Sequence, residues 1–257
     1  MINRHIAYIG CRGAAVVLAA VIVLPVGAAS ATPVPPASGS EVEAEFVRTG
    51  ADRAAVEDPA VKAKCSRKTG PYQRAVEKRL KLKVDGKQSA DDCRVIRKFQ
   101  VKHGIKTADG FAGPATWATM QLVSAKKHPN ARKKCPERRY RVACVDLNRQ
   151  LTWVQKGRKV IYGPVSMRSG RAGHRTRTGW HKIYWKHRNH WSTIYNAPMP
   201  YAQFFSGGQA FHAVHDGIYT TLGSWGCINL RPKDARKLWR VLEKGDRVYV
   251  WGHRPGK

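Results

Sequence analysis

The chain has 257 residues, 42% of them hydrophobic, with 47 Lys+Arg against 17 Asp+Glu and a net charge of +30. That length allows one or two domains with proper cores. The charge favours a polyanionic partner, yet no nucleic-acid-binding fold motif accompanies it, which argues against a nucleic-acid binder.

The first 31 residues have the make-up of a secretory signal. Arg4 and Arg12 precede the apolar run Ala14 to Ala29, and Ala29, Ser30 and Ala31 form a small-residue cleavage site. The run is short for a membrane span, which needs about 20 apolar residues, and Pro25 interrupts it. Cys11 precedes the run, so it leaves with the signal. Residues 32–64 are rich in Pro, Ala and acids and lack the periodicity of a packed element. They are expected to be a disordered linker, with at most a short helix over Ala51 to Glu57. Six acids lie there, so the remainder is more basic still. An exported chain of this charge suits an anionic cell-wall polymer, or simply carries a solvated basic surface.

Of six cysteines, five outlast the signal, an odd number for an oxidising compartment. Local spacing suggests Cys65 with Cys93 and Cys135 with Cys144, one of three formal pairings. Cys227 is left over, either an inert buried thiol or a reactive one.

Residues 65–125 read as a small helical domain. "PYQRAVEKRLKL" spaces Val76, Leu80 and Leu82 near a helical repeat. "SADDCRVIRKFQVKHG" opens with Ser89 and Asp92, a capping-box pattern, and ends at Gly104. Its positions Cys93, Ile96, Phe99 and Gln100 follow the 3.6-residue period. "PATWATMQLV" starts a third helix with Pro114 at its first position. The stretch with Phe99, Gln100, Gly104, Ile105, Asp109, Gly110, Gly113, Pro114, Thr116 and Trp117 resembles the three-helix peptidoglycan-binding module PG_binding_1. The resemblance implies a wall-targeting role. The same residues would also serve the bundle itself, with Gly110 and Gly113 shaping the turn and Trp117 filling the core.

Residues 126–139 form a basic connector, read as a solvated surface segment. From Tyr140 the period changes to two. "YRVACVDL", "QLTWVQ", "KVIYGPVSM", "TGWHKIYW" and "DRVYVWG" read as strands, with "KGRK" a turn. One helix is expected in "PKDARKLWRVLEKG", opened by Pro232, striped by Ala235, Leu238, Trp239 and Leu242, and closed by Gly245. The class is α+β, with a β-rich domain over 140–252.

A cysteine nucleophile needs a base, a group that orients the base and donors for the developing oxyanion. "AFHAVHDG" supplies His212 and His215 at the end of one expected strand, and "SWGCINL" supplies Cys227 at the start of the next. Adjacent strands would bring His212 and Cys227 within reach. The N–H groups of Trp225, Gly226 and Cys227 could form an oxyanion hole, and a nearby imidazole would lower the thiol pKa.

Here the chain resembles the L,D-transpeptidase catalytic domain of the YkuD-like fold. The family has a His after an apolar residue, a variable loop, then Ser/Thr-His-Gly-Cys-hydrophobic-Asn/Arg. This chain has His212, Ser224, Gly226, Cys227, Ile228 and Asn229. "GPVSMRSGRAGHRTRTGWHKI" and "APMPYAQFFSGGQAFH" resemble further family segments, with Arg177 in the place of a proline. Trp225 replaces the usual second His and can contribute only its backbone N–H. The loop between His212 and Ser224 is shorter than usual, which leaves His215 as a second candidate base; the "Phe-His" context favours His212.

The resemblance implies Cys227 as nucleophile, His212 as general base and the Ala213 carbonyl as its orienter. Trp225 and Gly226 would donate to the oxyanion, with Met199, Tyr201, Ser224 and Asn229 on the substrate side. The implied reaction is acyl transfer from a peptidoglycan tetrapeptide stem with release of D-Ala. A stem amine as acceptor gives a 3-3 crosslink, water a carboxypeptidase, a free D-amino acid an exchange enzyme. A monomer working outside the cytoplasm on the wall is implied, with no cofactor. His174, His181, His187 and His190 crowd one region but match no zinc spacing, so no metal is expected. A non-catalytic wall-binding protein is the other reading, favoured by Trp225 and opposed by the retention of His212 and Cys227.

Overall fold

The computed structural model describes residues 64–255. The expected signal, nearly all of the expected linker and its short helix lie outside the described residues, which all belong to one compact unit, residues 55–257. Among them no helix is long and apolar enough to cross a membrane.

Three helices come first: α1 (Gln73–Leu80), α2 (Ala90–Lys102) and α3 (Pro114–Ala125). Each starts or stops for a local reason. Lys81, in left-handed backbone, ends α1. Ser89 and Asp92 close the expected capping box on α2. Gly113 caps α3, with Pro114 in its first turn. Val76, Ile96, Ala112 and Met120 form the core between them, and Trp117 stacks on Tyr72 with centroids 4.9 Å apart. Gln100, expected as part of the apolar stripe, is buried as a polar staple instead. Its amide accepts from Gly110 N–H at 2.8 Å and donates to Phe111 O and Thr116 Oγ1. Cys65 is bonded to Cys93. Gly110 has φ +76°, and a Cβ there would meet the Cys93 sulfur at 2.3 Å, so the turn needs glycine.

Two sheets follow. The first has β1 (Arg141–Asp146), β2 (Leu151–Lys156), β3 (Lys159–Ser166), β4 (Gly179–Lys182) and β9 (Arg247–Trp251), in the order β3-β2-β1-β9-β4. The second has β5 (Trp185–Ser192), β6 (Ala197–Ser206), β7 (Gln209–Ala213) and β8 (Ile228–Leu230), in that order. The first and last strands, β1 and β9, pair in parallel, as do β7 and β8; the other pairings are antiparallel.

Alternation along β1 separates two cores. Ala143 and Val145 face the main core, which also holds Val248, Val250, Phe211, Ile228 and Leu230 from both sheets. Val142 and Cys144 face the other side, with Trp153 and Cys135. The Cys135–Cys144 bond lies there and pins the connector to the sheet. Connector lysines and arginines are exposed as expected, but Pro129 and Cys135 are buried, so the segment is anchored rather than free. Helix α4 (Pro232–Val241) lays Ala235 and Leu238 on the main core.

The sequence reading of this half needs two corrections. "TGWHKIYW" is not one strand: β4 ends at Lys182, and β5 begins at Trp185 in the other sheet. The helix stops at Val241, because Leu242 turns to extended backbone to reach the core; Gly245, φ +99°, serves the turn into β9.

Candidate active site

Three distant stretches meet at Cys227. Parallel pairing of β7 and β8 sets Phe211 against Ile228 and His212 against Asn229. Cys227 precedes β8 by one residue, which brings it alongside Ala210. The third stretch, residues 168–171, clamps the cysteine loop from the other side. Arg168 and Asn229 exchange both backbone bonds at 2.9 Å, and Ser224 donates to Ser169 O and accepts from Arg171 N–H at the same distance.

Side chains then fix the loop from below. The buried Thr176 hydroxyl donates to Gly226 O at 2.8 Å and accepts from Gly170 N–H at 3.0 Å. The Gln209 amide accepts from Arg177 N–H and donates to Arg175 O, both at 2.9 Å. It lies against Gly226, whose φ is +114° and whose absent Cβ would sit 2.4 Å from Gln209 Nε2. Ser224 Oγ donates to Cys227 O at 2.6 Å and accepts from Gly226 N–H at 3.0 Å.

That last bond bears on the expected oxyanion donors. Gly226 N–H is engaged inside the loop, because Ser224 Oγ sits above it. The N–H groups of Trp225 and Cys227 donate to no other group among the described residues. Ser224, expected on the substrate side, staples the loop and also lines the cavity.

His212 is buried and bonded at both ring nitrogens. Its Nδ1 lies 2.8 Å from Ala213 O, and a carbonyl only accepts, so Nδ1 carries the proton. Nε2 is therefore a lone pair, and Asn229 Nδ2 donates to it at 2.7 Å. The Asn229 orientation is set in turn by Arg168 Nε, which donates to Oδ1 at 3.0 Å, and Arg168 pairs with Asp216 at 3.3 Å. Asn229, expected on the substrate side, holds the His212 ring and also lines the cavity. Burial pushes the His212 pKa down to about 4; the Ala213 carbonyl works against this, and the Arg168 charge adds to it. His215 is exposed at the cavity rim.

Burial also pushes the Cys227 thiol up, with a bond from the Ala210 backbone opposing it. The expected lowering by an imidazole is absent for a physical reason: a neutral imidazole supplies no charge, and desolvation dominates. At neutral pH the resting site holds a neutral thiol and a neutral imidazole. Cys227 is the free cysteine among the described residues.

Both groups line a cavity of about 520 Å³ with Met199, Ser224, Trp225 and Asn229. Tyr201 does not line it. Left-handed backbone at Tyr201, φ +59°, breaks the alternation of β6. Met199 therefore joins Ala202 and Phe204 beside Cys227, whereas Tyr201 packs on the main core. Trp225 supplies more than its N–H. Its half-exposed indole forms the rim, with the Arg171 guanidinium 3.7 Å above the ring and Tyr195 at 5.5 Å.

Sequence reasoning missed Thr176, Gln209 and Arg168. Their partners lie 32 to 61 residues away, so no local pattern marks them. The four histidines read as a crowd separate. His174 lies against Trp225, His181 bonds Arg177 O, and His187 and His190 face each other at 3.2 Å.

Residues 140–250 match the family profile of the YkuD L,D-transpeptidase catalytic domain. Among solved structures, an L,D-transpeptidase (Yku) from Stackebrandtia nassauensis is 39% identical, covering 75% of this chain and 96% of that one, with a TM-score of 0.54. An L,D-transpeptidase fragment from Xylanimonas cellulosilytica is 24% identical, covering 74% of this chain and 96% of that one, with a TM-score of 0.44. An L,D-transpeptidase from Mycobacterium tuberculosis H37Rv is 19% identical over 44% of this chain and 58% of that one, with a TM-score of 0.40. No curated protein matches the chain.

Proposed function

We propose a cysteine acyl-transfer reaction on peptidoglycan stems for this chain, which belongs to the L,D-transpeptidase (YkuD) family. One observation carries the reading. A buried imidazole with its proton fixed on Nδ1 opens on the same cavity as the free thiol.

Cys227 is the nucleophile and His212 the base. Substrate entry displaces Asn229 Nδ2 from His212 Nε2, which then takes the thiol proton as sulfur attacks the carbonyl of the bond to D-Ala. The N–H groups of Trp225 and Cys227 receive the oxyanion. Collapse breaks the C–N bond, His212 returns its proton to the leaving amine, and a thioester remains on Cys227. The amine of a second stem attacks the thioester, giving a 3-3 crosslink and restoring the thiol. The helical region, residues 65–125, is a peptidoglycan-binding module, and residues 1–31 are the signal that exports the chain to the wall.

A neutral resting pair predicts a broad pH plateau. The acid limb of kcat/KM follows His212 and falls near pH 4, well below the ordinary histidine range. Stability moves with it. An unfolded histidine binds a proton below about pH 6.5, whereas the folded one resists until about 4. Between those values the unfolded state holds more protons, so stability falls on acidification, by roughly 3 kcal/mol from this group. Urea unfolding between pH 7 and 4 measures this.

The test is mass spectrometry of tetrapeptide muropeptides incubated with the full chain and with Cys227→Ala. Release of D-Ala by the unmodified chain alone supports the reading. A crosslinked dimer then identifies the transpeptidase, and a tripeptide monomer identifies the carboxypeptidase. Equal inertness of both, with binding to walls retained, overturns the reading in favour of a wall-binding protein.

A further inference from the structure

A second and larger cavity, about 860 Å³, adjoins the cysteine cavity and shares Arg171, Leu222 and Gly223 with it. Arg171, Arg175, Arg177 and Arg254 line it, with His253, and no Asp or Glu does. A basic chain carries arginines everywhere, so their partners decide the matter. Arginines 94, 141, 149, 168 and 231 form ion pairs with carboxylates; none of the four in this cavity does.

Neutral groups hold three of them instead. Arg254 donates to Gln150 Oε1 at 2.6 Å and to Thr220 O at 2.8 Å. Arg177 donates to Ser206 O at 2.9 Å, and Arg171 lies over the Trp225 ring. These contacts fix position without cancelling charge. Arg254 is also half-buried, where desolvation disfavours its charge and no carboxylate offsets that. A concave wall of unpaired guanidinium groups concentrates positive potential and fits the planar fork of an oxyanion.

We propose that this cavity binds the carboxylates of an acidic peptide, the stem that continues past the cysteine cavity, and so selects free-acid over carboxamide stems. The shared wall supports this occupant, since a ligand filling both cavities passes Arg171 and Leu222 without leaving the surface. The proposal rests on the acyl-transfer reading for its choice of ligand, but binding is measurable without catalysis.

The experiment is calorimetric titration of the full chain carrying Cys227→Ala with two tetrapeptide stems, one with free carboxylates and one with those groups as carboxamides. The free acid should bind about tenfold more tightly, since charge-assisted bonds to a carboxylate are the strong ones. Arg175 is exposed and has no side-chain partner among the described residues, so Arg175→Gln leaves the fold intact. It should weaken the free acid severalfold and spare the carboxamide. Arg254→Lys, which keeps the charge and loses the fork, should weaken the free acid as well. Equal affinity for the two stems, or equal weakening of both by Arg175→Gln, overturns the proposal. So does an Arg175→Gln effect seen with inorganic phosphate and not with the free-acid stem, which would make this a phosphate site. If the discrimination persists while the unmodified chain releases no D-Ala, the acyl-transfer reading falls and the site stands. If D-Ala is released equally from both stems without discrimination, the reverse holds.

Discussion

The helical region and the cysteine site use the same kinds of bond over very different distances along the chain. In the helices the decisive contacts are local: Ser89 and Asp92 lie three residues apart, and Gln100 reaches ten residues on to Gly110. At the site, Gln209 holds Arg177 across 32 residues, Thr176 holds Gly226 across 50 and Arg168 holds Asn229 across 61. Local bonds define a helix wherever it goes. Long-range ones need distant segments brought together, so the thiol's surroundings depend on residues far from it in the chain.

If that contrast is right, damage at the site should cost turnover, and damage in the helices only stability. The largest effect is expected from Gly226→Ala, where the backbone at φ +114° and the nearby Gln209 amide both resist a side chain. The cysteine loop must shift, and a misplacement of that order costs about a hundredfold in kcat. Adding Gln209→Ala removes the clash but not the backbone strain, so recovery should be partial. Steady-state D-Ala release measures both.

Thr176→Ala comes next. It leaves Gly226 O and Gly170 N–H without their partner, at about 1–3 kcal/mol, and kcat should fall about tenfold through the loop. Thr176→Ser keeps the hydroxyl and should rescue most of both. Full activity in Thr176→Ala would break the comparison, since the loop would then be held locally.

Asn229→Asp tests the base. A carboxylate beside His212 stabilises the imidazolium, so the acid limb should move up from about 4 by one unit or more. An unmoved limb would point to a different base, with His215 the next to test.

Ser89→Ala should be the mildest. Loss of the capping box costs about 1 kcal/mol and should leave D-Ala release from soluble stems within twofold. A large loss of turnover here would mean that the helices support the site after all.

Legibility in the sequence follows the same division. The capping box, Pro114 at a helix start and the alternation in "YRVACVDL" each carry their instruction within a few residues, and the structure follows them. The Cys135–Cys144 disulfide, nine residues apart, is also local. Gln100 was legible as buried but not as a polar staple, because periodicity records burial and not bonding. Cys227 and His212, which the fold brings to one cavity, could be picked out because a glycine-flanked cysteine and a "Phe-His" pair are each compact signals. Thr176, Gln209 and Arg168 could not, since their partners lie in other strands. Tyr201, set on the substrate side by resemblance, packs on the main core because left-handed backbone breaks the alternation of β6.

The strand order has a consequence in time. β9 lies between β1 and β4, and it alone links β4 to the rest of that sheet. It is also the last described strand to emerge from any machine that delivers the chain from its N-terminus. Until Trp251 arrives, β1 has a bare edge and β4 has no neighbour. The thiol emerges before that, after Arg168, Thr176 and Gln209 but ahead of the strand that completes the first sheet. A chain ended before Arg247 would still carry Cys227 but would leave β1 with an open edge and β4 without a neighbour in its sheet.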